Sequence, residues 1–236
     1  PEFNQSKLGQ TTLPVGLPAP STPVSPPGTG YSRIEGKPLL IVVEGKFDVE
    51  FLRRIARILH AEDSTVPALD ELEADGRIVV LPSGGGATLE SFVRLSALGH
   101  SQFYLLDRET GAVADEREQL LASLNSKPSC QAVVTQKRAI ENYLHPDAIY
   151  EATGLRVSFG DDDDVPELVA RAKLTESNGP DWDGQSRRSR RRLRDKTKES
   201  LNTDAADRMT PARLSERDPK GAVQSWLRSI AEMATT

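Results

Sequence analysis

The chain has 236 residues, 37% of them hydrophobic and 28% charged, with a formal net charge of -5. These values exclude a uniformly basic nucleic-acid coat, and no apolar run approaches the roughly 20 residues needed to span a bilayer, so no membrane partner is expected. Cys130 is the single cysteine, which excludes an internal disulfide and a cysteine-built zinc site and fits a reducing, cytoplasmic setting.

Residues 1–36 contain LPVGLPAPSTPVSPPGTG. Proline at this density keeps backbone extended and solvated and builds no core, so the segment reads as a tail or linker. LLIVVE (39–44) is a continuous β-branched run, the mark of a strand covered on both faces. FDVEFLRRIARILH (47–60) places Phe47, Phe51, Leu52, Ile55, Ile58 and Leu59 at helical spacing. RIVVLP (77–82) reads as a second strand, followed by Ser83, Gly84, Gly85 and Gly86 and then a helix over about 88–98. QFYLLD (102–107) reads as a third strand, DEREQLLASLN (115–125) as a helix and QAVVTQ (131–136) as a fourth strand. Strand and helix alternate, which specifies an α/β domain with a mostly parallel sheet flanked by helices over 37–150.

Beyond about residue 150 the pattern becomes mostly helical. HPDAIYEATG reads as a short helix ended by Gly154, and PELVARAKL as a helix after the acidic run Asp161–Asp164, which reads as a solvated, mobile loop. SRRSRRRLRDKTK (186–198) is strongly basic. Its cations fall on every face of a helix, so they do not all form one stripe. Arg187, Arg188, Arg190, Arg191, Arg192 and Arg194 are phosphate-contact candidates, because an acidic protein needs positive surface to attract nucleic acid. PKGAVQSWLRSIAEM (219–233) reads as a last amphipathic helix. His60, His100 and His145 are scattered and read as ordinary packing or surface residues; Cys130 reads as buried and inert.

Ligands of open parallel sheets bind beyond the carboxyl ends of the strands. Glu44 ends the first strand and Asp48 follows one helical turn on. Asp107 ends the third strand, Glu109 follows at a spacing of two, and Glu141 lies a few residues past the fourth. Clustered carboxylates repel one another and call for a cation. Mg²⁺ takes carboxylate oxygens and waters, and two such ions can drive phosphodiester cleavage. The glycines at 84–86 would let backbone approach a phosphate or metal closely. Lys137 and Arg138 would stand beside the site, where a cation offsets transition-state charge.

EGKFD (44–48), a strand ending in DRE (107–109), LPSGGG (81–86) and KRAIENYL (137–144), in that order, resemble the TOPRIM domain of OLD-type (overcoming lysogenization defect) nucleases. The resemblance covers roughly residues 38–150. It implies a Rossmann-like TOPRIM sheet and a Mg²⁺- or Mn²⁺-dependent endonuclease with two ions held by Glu44, Asp48, Asp107, Glu109 and Glu141. Glu109 stands where the family has Asp. The resemblance further implies DNA as substrate, with RNA left open, and a role in phage defence or DNA processing. OLD-type proteins join this nuclease to an ABC-type ATPase, and no GxxxxGK[ST] phosphate loop occurs in the chain, so an ATPase partner would lie outside it. Oligomeric state is left open. Two alternatives stand beside this reading: a primase- or topoisomerase-type TOPRIM fragment, and a non-catalytic module that binds nucleic acid or an ATPase partner.

Overall fold

The structure, a computed structural model, describes residues 36–84, 92, 94, 99–108, 110–179 and 181–235. The Pro-rich segment, most of the expected 88–98 helix, Gly85, Gly86 and Glu109 lie outside the described residues.

Four strands form one parallel sheet: β1 (Leu39–Val43), β2 (Ile78–Pro82), β3 (Gln102–Leu106) and β4 (Cys130–Val134), in the order β2-β1-β3-β4. The register sets Val43 opposite both Pro82 and Leu105, and Leu106 opposite Val134. The apolar run in β1 is buried along its whole length, as a strand covered on both faces requires. Its alternation sorts the core. Leu39, Ile41 and Val43 join Phe103 and Leu105 on one face, while Val42, Tyr104 and Leu106 join Leu124, Cys130 and Ala132 on the other.

Helix α1 (Lys46–Glu62) covers the first face with Phe51, Leu52, Ile55 and Leu59. The short helix α2 (Leu69–Ala74), which the sequence pattern did not mark, follows it, and α3 (Ala112–Asn125) covers the second face. The C-terminal part is helical: α4 (Pro146–Thr153), α5 (Val165–Glu176), α6 (Arg187–Ser200), α7 (Pro211–Arg217) and α8 (Ala222–Ala234). Gly154 ends α4 in the left-handed conformation, at φ 76°, where a side chain would be strained. Between α6 and α7 the chain makes a π-turn, Leu201–Ala205. Leu201, Ala205, Met209, Leu214, Trp226, Leu227 and Ile230 all pack into the core beneath α1. Each large apolar side chain among them contributes on the order of 1.5–3 kcal/mol, so the C-terminal helices are part of what holds the sheet. Among the described residues no helix is long and apolar enough to cross a membrane.

Tyr143 ties the two parts together. It is fully buried, meets the Trp226 ring edge-on at 5.2 Å and 77°, and its hydroxyl accepts the Gln136 N–H at 3.0 Å. Tyr143→Phe removes the acceptor of the Gln136 N–H, a part-buried bond from an exposed residue, and the expected cost is about 0.5–1.5 kcal/mol, read from urea unfolding.

Candidate metal centre

In the observed order, β1 connects to β2 on one side while β3 lies on the other, so the topological switch falls between β1 and β3. A crevice opens at the carboxyl ends of such a pair. Glu44 is the first residue past β1 and Asp107 the first past β3. Glu44 Oε1 accepts the Asp107 N–H at 3.0 Å, and the Gly84 N–H donates to the Glu44 carbonyl at 2.9 Å. Gly84 has φ 73°, so the turn after β2 uses glycine to bend back onto β1.

Three predicted carboxylates meet around one cation that the sequence reading passed over. Lys198 Nζ lies 3.2 Å from Asp48, 3.3 Å from Glu141 and 4.0 Å from Asp107. Each carboxylate has a second duty that fixes it. Asp48 Oδ2 accepts the Gly45 N–H at 2.8 Å at the start of α1. Asp107 Oδ1 accepts the Ile140 N–H at 3.1 Å. Glu141 Oε1 accepts from the Asn202 side-chain amide at 2.7 Å, and Asn202 is delivered by the π-turn, a device that recurs at functional sites. Glu44 turns the other way: its carboxylate pairs with Arg117 of α3 at 2.8 Å.

The electrostatics follow from burial. Asp48, Asp107 and Glu141 are 3%, 5% and 1% exposed. Burial raises the Asp48 carboxyl above its usual range and the Asp107 carboxyl well above it, with Lys198 opposing and the neighbouring carboxylates reinforcing the shift. Lys198 is itself raised: burial works against its charge, but Glu141, Asp48 and Asp107 outweigh it. A carboxyl that is raised in the folded state holds its proton at pH values where the unfolded chain has released it. The stability it contributes is therefore present at low pH and lost as pH climbs from about 3.8 through the folded value. Asp107→Asn removes this loss. Its stability relative to the parent is expected to rise with pH across that window, measured as the difference in urea midpoints in EDTA.

Among the described residues no three His, Cys, Asp or Glu groups converge closely enough to cage an ion as they stand; the Lys198 ammonium stands between them. The donor set nevertheless fits a hard divalent cation. It offers carboxylate oxygens from three segments, already drawn around one positive charge. Asp48 Oδ1 is buried and receives no aligned hydrogen bond, although the ammonium is near.

The basic run is α6, capped by the Ser186 side chain. Arg187, Arg190, Arg191 and Arg194 do share one face, together with Lys198. They line a cavity of 540 Å³ floored in part by the buried Trp182. Arg188 and Arg192 are exposed and lie off that cavity. The six arginines thus do not all form one stripe, but four of them do, and that stripe ends in the carboxylate cluster.

Lys137 and Arg138 project to the acidic loop. Lys137 pairs with Asp161, and Arg138 with Asp164 at 3.3 Å. Asn142 is 1% exposed, and its amide holds the Gly160 and Asp163 carbonyls at 2.9 and 3.1 Å. Glu141, Asn142 and Tyr143 thus do three separate jobs: one faces Lys198, one anchors the loop, one braces the exit from β4. The loop at 161–164 is solvated as expected at Asp161, Asp162 and Asp163, which are exposed, and Asp161, Asp162 and Asp164 are in addition paired with cations of four different segments. The histidines are ordinary, as expected: His60 bonds the Val66 carbonyl, His100 the Pro38 carbonyl, and His145 caps α4.

No protein-family model matches the chain, and no curated protein matches it. Among solved structures, three of the C-terminal region of the OLD protein of Xanthomonas campestris pv. campestris are similar. The platinum-phased one has a TM-score of 0.43 at 16% identity, covering 83% of this chain and 94% of that one. The mercury-phased one has a TM-score of 0.44 at 17% identity, covering 84% and 98%. The chain is similar to that region of an OLD protein, and at these values the likeness decides nothing about activity.

Proposed function

We propose that this protein is a divalent-metal-dependent nuclease of the OLD type that nicks or cleaves DNA. The observation that carries the proposal is the convergence of Asp48, Asp107 and Glu141 on one buried positive charge, beside Glu44, at the switch point of a parallel sheet. Carboxylates from separate segments, buried to this degree, are a costly arrangement without a cation. Two Mg²⁺ or Mn²⁺ ions bound there would supply Lewis-acid charge to the phosphodiester and its attacking water. Asp48, Asp107 and Glu141 would hold them, with Glu44 and Glu109 completing the set.

The chain's own residues do the rest. The Ile140 and Gly45 amides and the Asn202 side chain keep the three carboxylates in place before substrate arrives, so little reorganisation is left for the reaction. The Arg187–Arg194 stripe positions the phosphate backbone by charge and carries no base readout. Lys198 stands where that stripe meets the carboxylates, and its ammonium can offset charge that builds on the phosphate oxygens. Lys137 and Arg138 flank the same edge. The resemblance stated above adds phage defence or DNA processing as the setting and an ABC-type ATPase as a partner.

The test is conversion of supercoiled plasmid to nicked and linear forms with Mg²⁺, Mn²⁺ or EDTA. Metal-dependent conversion is the expected result. Inertness towards DNA and RNA with both metals, together with no measurable Mn²⁺ binding, would leave a binding module in which Lys198 is a structural counter-ion.

A further inference from the structure

The acidic loop makes an unusual set of contacts. Asp161 pairs with Lys137 and lies 3.9 Å from Arg217. Asp162 pairs with Arg108, and its carbonyl takes an Arg138 N–H at 3.4 Å. Asp164 takes Arg138 at 3.3 Å and Arg194 at 2.6 Å. These five cations come from the ends of β3 and β4 and from α6 and α7. They are close to the carboxylate cluster along the chain as well. Arg108 follows Asp107 directly, Arg138 lies two residues before the Ile140 amide that holds Asp107, and Arg194 is one helical turn before Lys198. Cations that lie close along the chain to residues of the candidate centre therefore face Asp161, Asp162 and Asp164, anions that belong to the protein itself.

The loop's side chains divide into a fixed pair and an exposed pair, on a backbone held in part by the Arg138 N–H at the Asp161 carbonyl, 2.7 Å. Asp164 caps α5 through the Glu167 N–H at 2.9 Å, and Asp163 closes the loop on the Gly160 N–H at 2.7 Å. Asn142 holds two loop carbonyls from below. Those contacts build the fold. The Asp161 and Asp162 side chains do not share them and are 59% and 74% exposed. The Arg108–Asp162 pair is exposed on both sides and contributes little to stability, while the Lys137 ammonium that faces Asp161 is buried and needs an anion opposite it. A phosphodiester backbone offers the same cations a charge-assisted partner of equal or better geometry.

We propose that Arg108, Lys137, Arg138, Arg194 and Arg217 form a seat for substrate phosphates, and that Asp161 and Asp162 are a built-in substitute for those phosphates, which the nucleic-acid strand must displace. The proposal rests on the nuclease reading of the site. It assigns the loop a restraining role: the protein competes with its own substrate for the cations next to the centre.

The experiment measures binding of fluorescein-labelled single-stranded DNA and RNA 20-mers by anisotropy, in EDTA so that cleavage plays no part. Asp161→Asn/Asp162→Asn is compared with the parent, and Asp162→Asn alone serves as a second variant that touches only the most exposed pair. The expected result is about tenfold tighter binding by the double variant and a smaller gain by the single one. The slope of log K against log salt steepens, since each extra phosphate contact on a single strand adds roughly 0.7. Adding Arg108→Ala and Lys137→Ala to the double variant removes the gain. Unchanged or weaker binding by both loop variants, with their unfolding midpoints near the parent's, overturns the proposal. Tighter binding without cleavage under any metal would retain the phosphate seat and reject the nuclease; metal-dependent cleavage with unchanged binding would do the reverse. The DNA and RNA arms separate the two sources of phosphodiester.

Discussion

Lys198→Met in EDTA near neutral pH is expected to unfold about 3–5 kcal/mol more easily than the parent, because removing one partner of a buried ionic cluster leaves the others uncompensated. Here three carboxylates, each at most 5% exposed, share that one ammonium. Methionine keeps most of the volume of the lysine stem, so the loss reports charge rather than packing. Two further readings separate this from a generic core defect. The deficit should shrink as pH falls and the carboxylates take up protons. It should also shrink on adding Mn²⁺, which stabilises a folded state that binds it by mass action. A deficit unaffected by both would mean that the cluster is not what Lys198 supports. If the parent is a nuclease, the same variant loses a cation placed to meet the scissile phosphate, and its nicking rate should fall even where metal has restored its fold.

The second large effect is expected at Asp107. Asp107→Asn can still accept the Ile140 N–H through its amide oxygen, so the local fold survives. What it loses is the second oxygen, the one that faces Lys198, and the charge. Plasmid nicking should drop by at least about 100-fold, since disturbing even the groups that orient a metal's ligands costs 10–100-fold. The variant should meanwhile be no less stable than the parent above pH 7, for the reason given by the raised Asp107 carboxyl. An inactive and more stable variant is the pattern of a residue kept for function against its cost to the fold. A variant that nicks at the parent's rate would remove Asp107 from the chemistry.

The sheet and the carboxylates were legible in the sequence because both are local signals. A β-branched run such as LLIVV in β1 states its own burial, and an acid at the end of such a run states its own edge. Two such ends, Glu44 and Asp107, are enough to point at a crevice once the strands are taken as parallel. Lys198 was not legible as the partner of Asp48, Asp107 and Glu141. It closes a run of cations that look alike, and only the packing of α6 decides which of them face inwards. Asn202 carries no signal at all, since a π-turn has no sequence mark comparable to a cap or a heptad. The acidic loop was only half legible for a related reason. Four aspartates in a row suggest solvent, and the partners that fix them lie in segments far apart in the chain. Short α2 and α7 were missed because two helical turns carry too few apolar positions to show a period.

The site is completed late. Its carboxylates are in place by residue 141, but Lys198 and Asn202 belong to the last quarter of the sequence. Domains fold as synthesis proceeds, at about 5–20 residues per second. A growing chain therefore exposes the acidic crevice for several seconds before its counter-charge emerges from the ribosome. Until then Asp48, Asp107 and Glu141 repel one another, and the sheet edge they sit on has no reason to close. The order of synthesis thus delays completion of the carboxylate cluster until Lys198 and Asn202 have emerged.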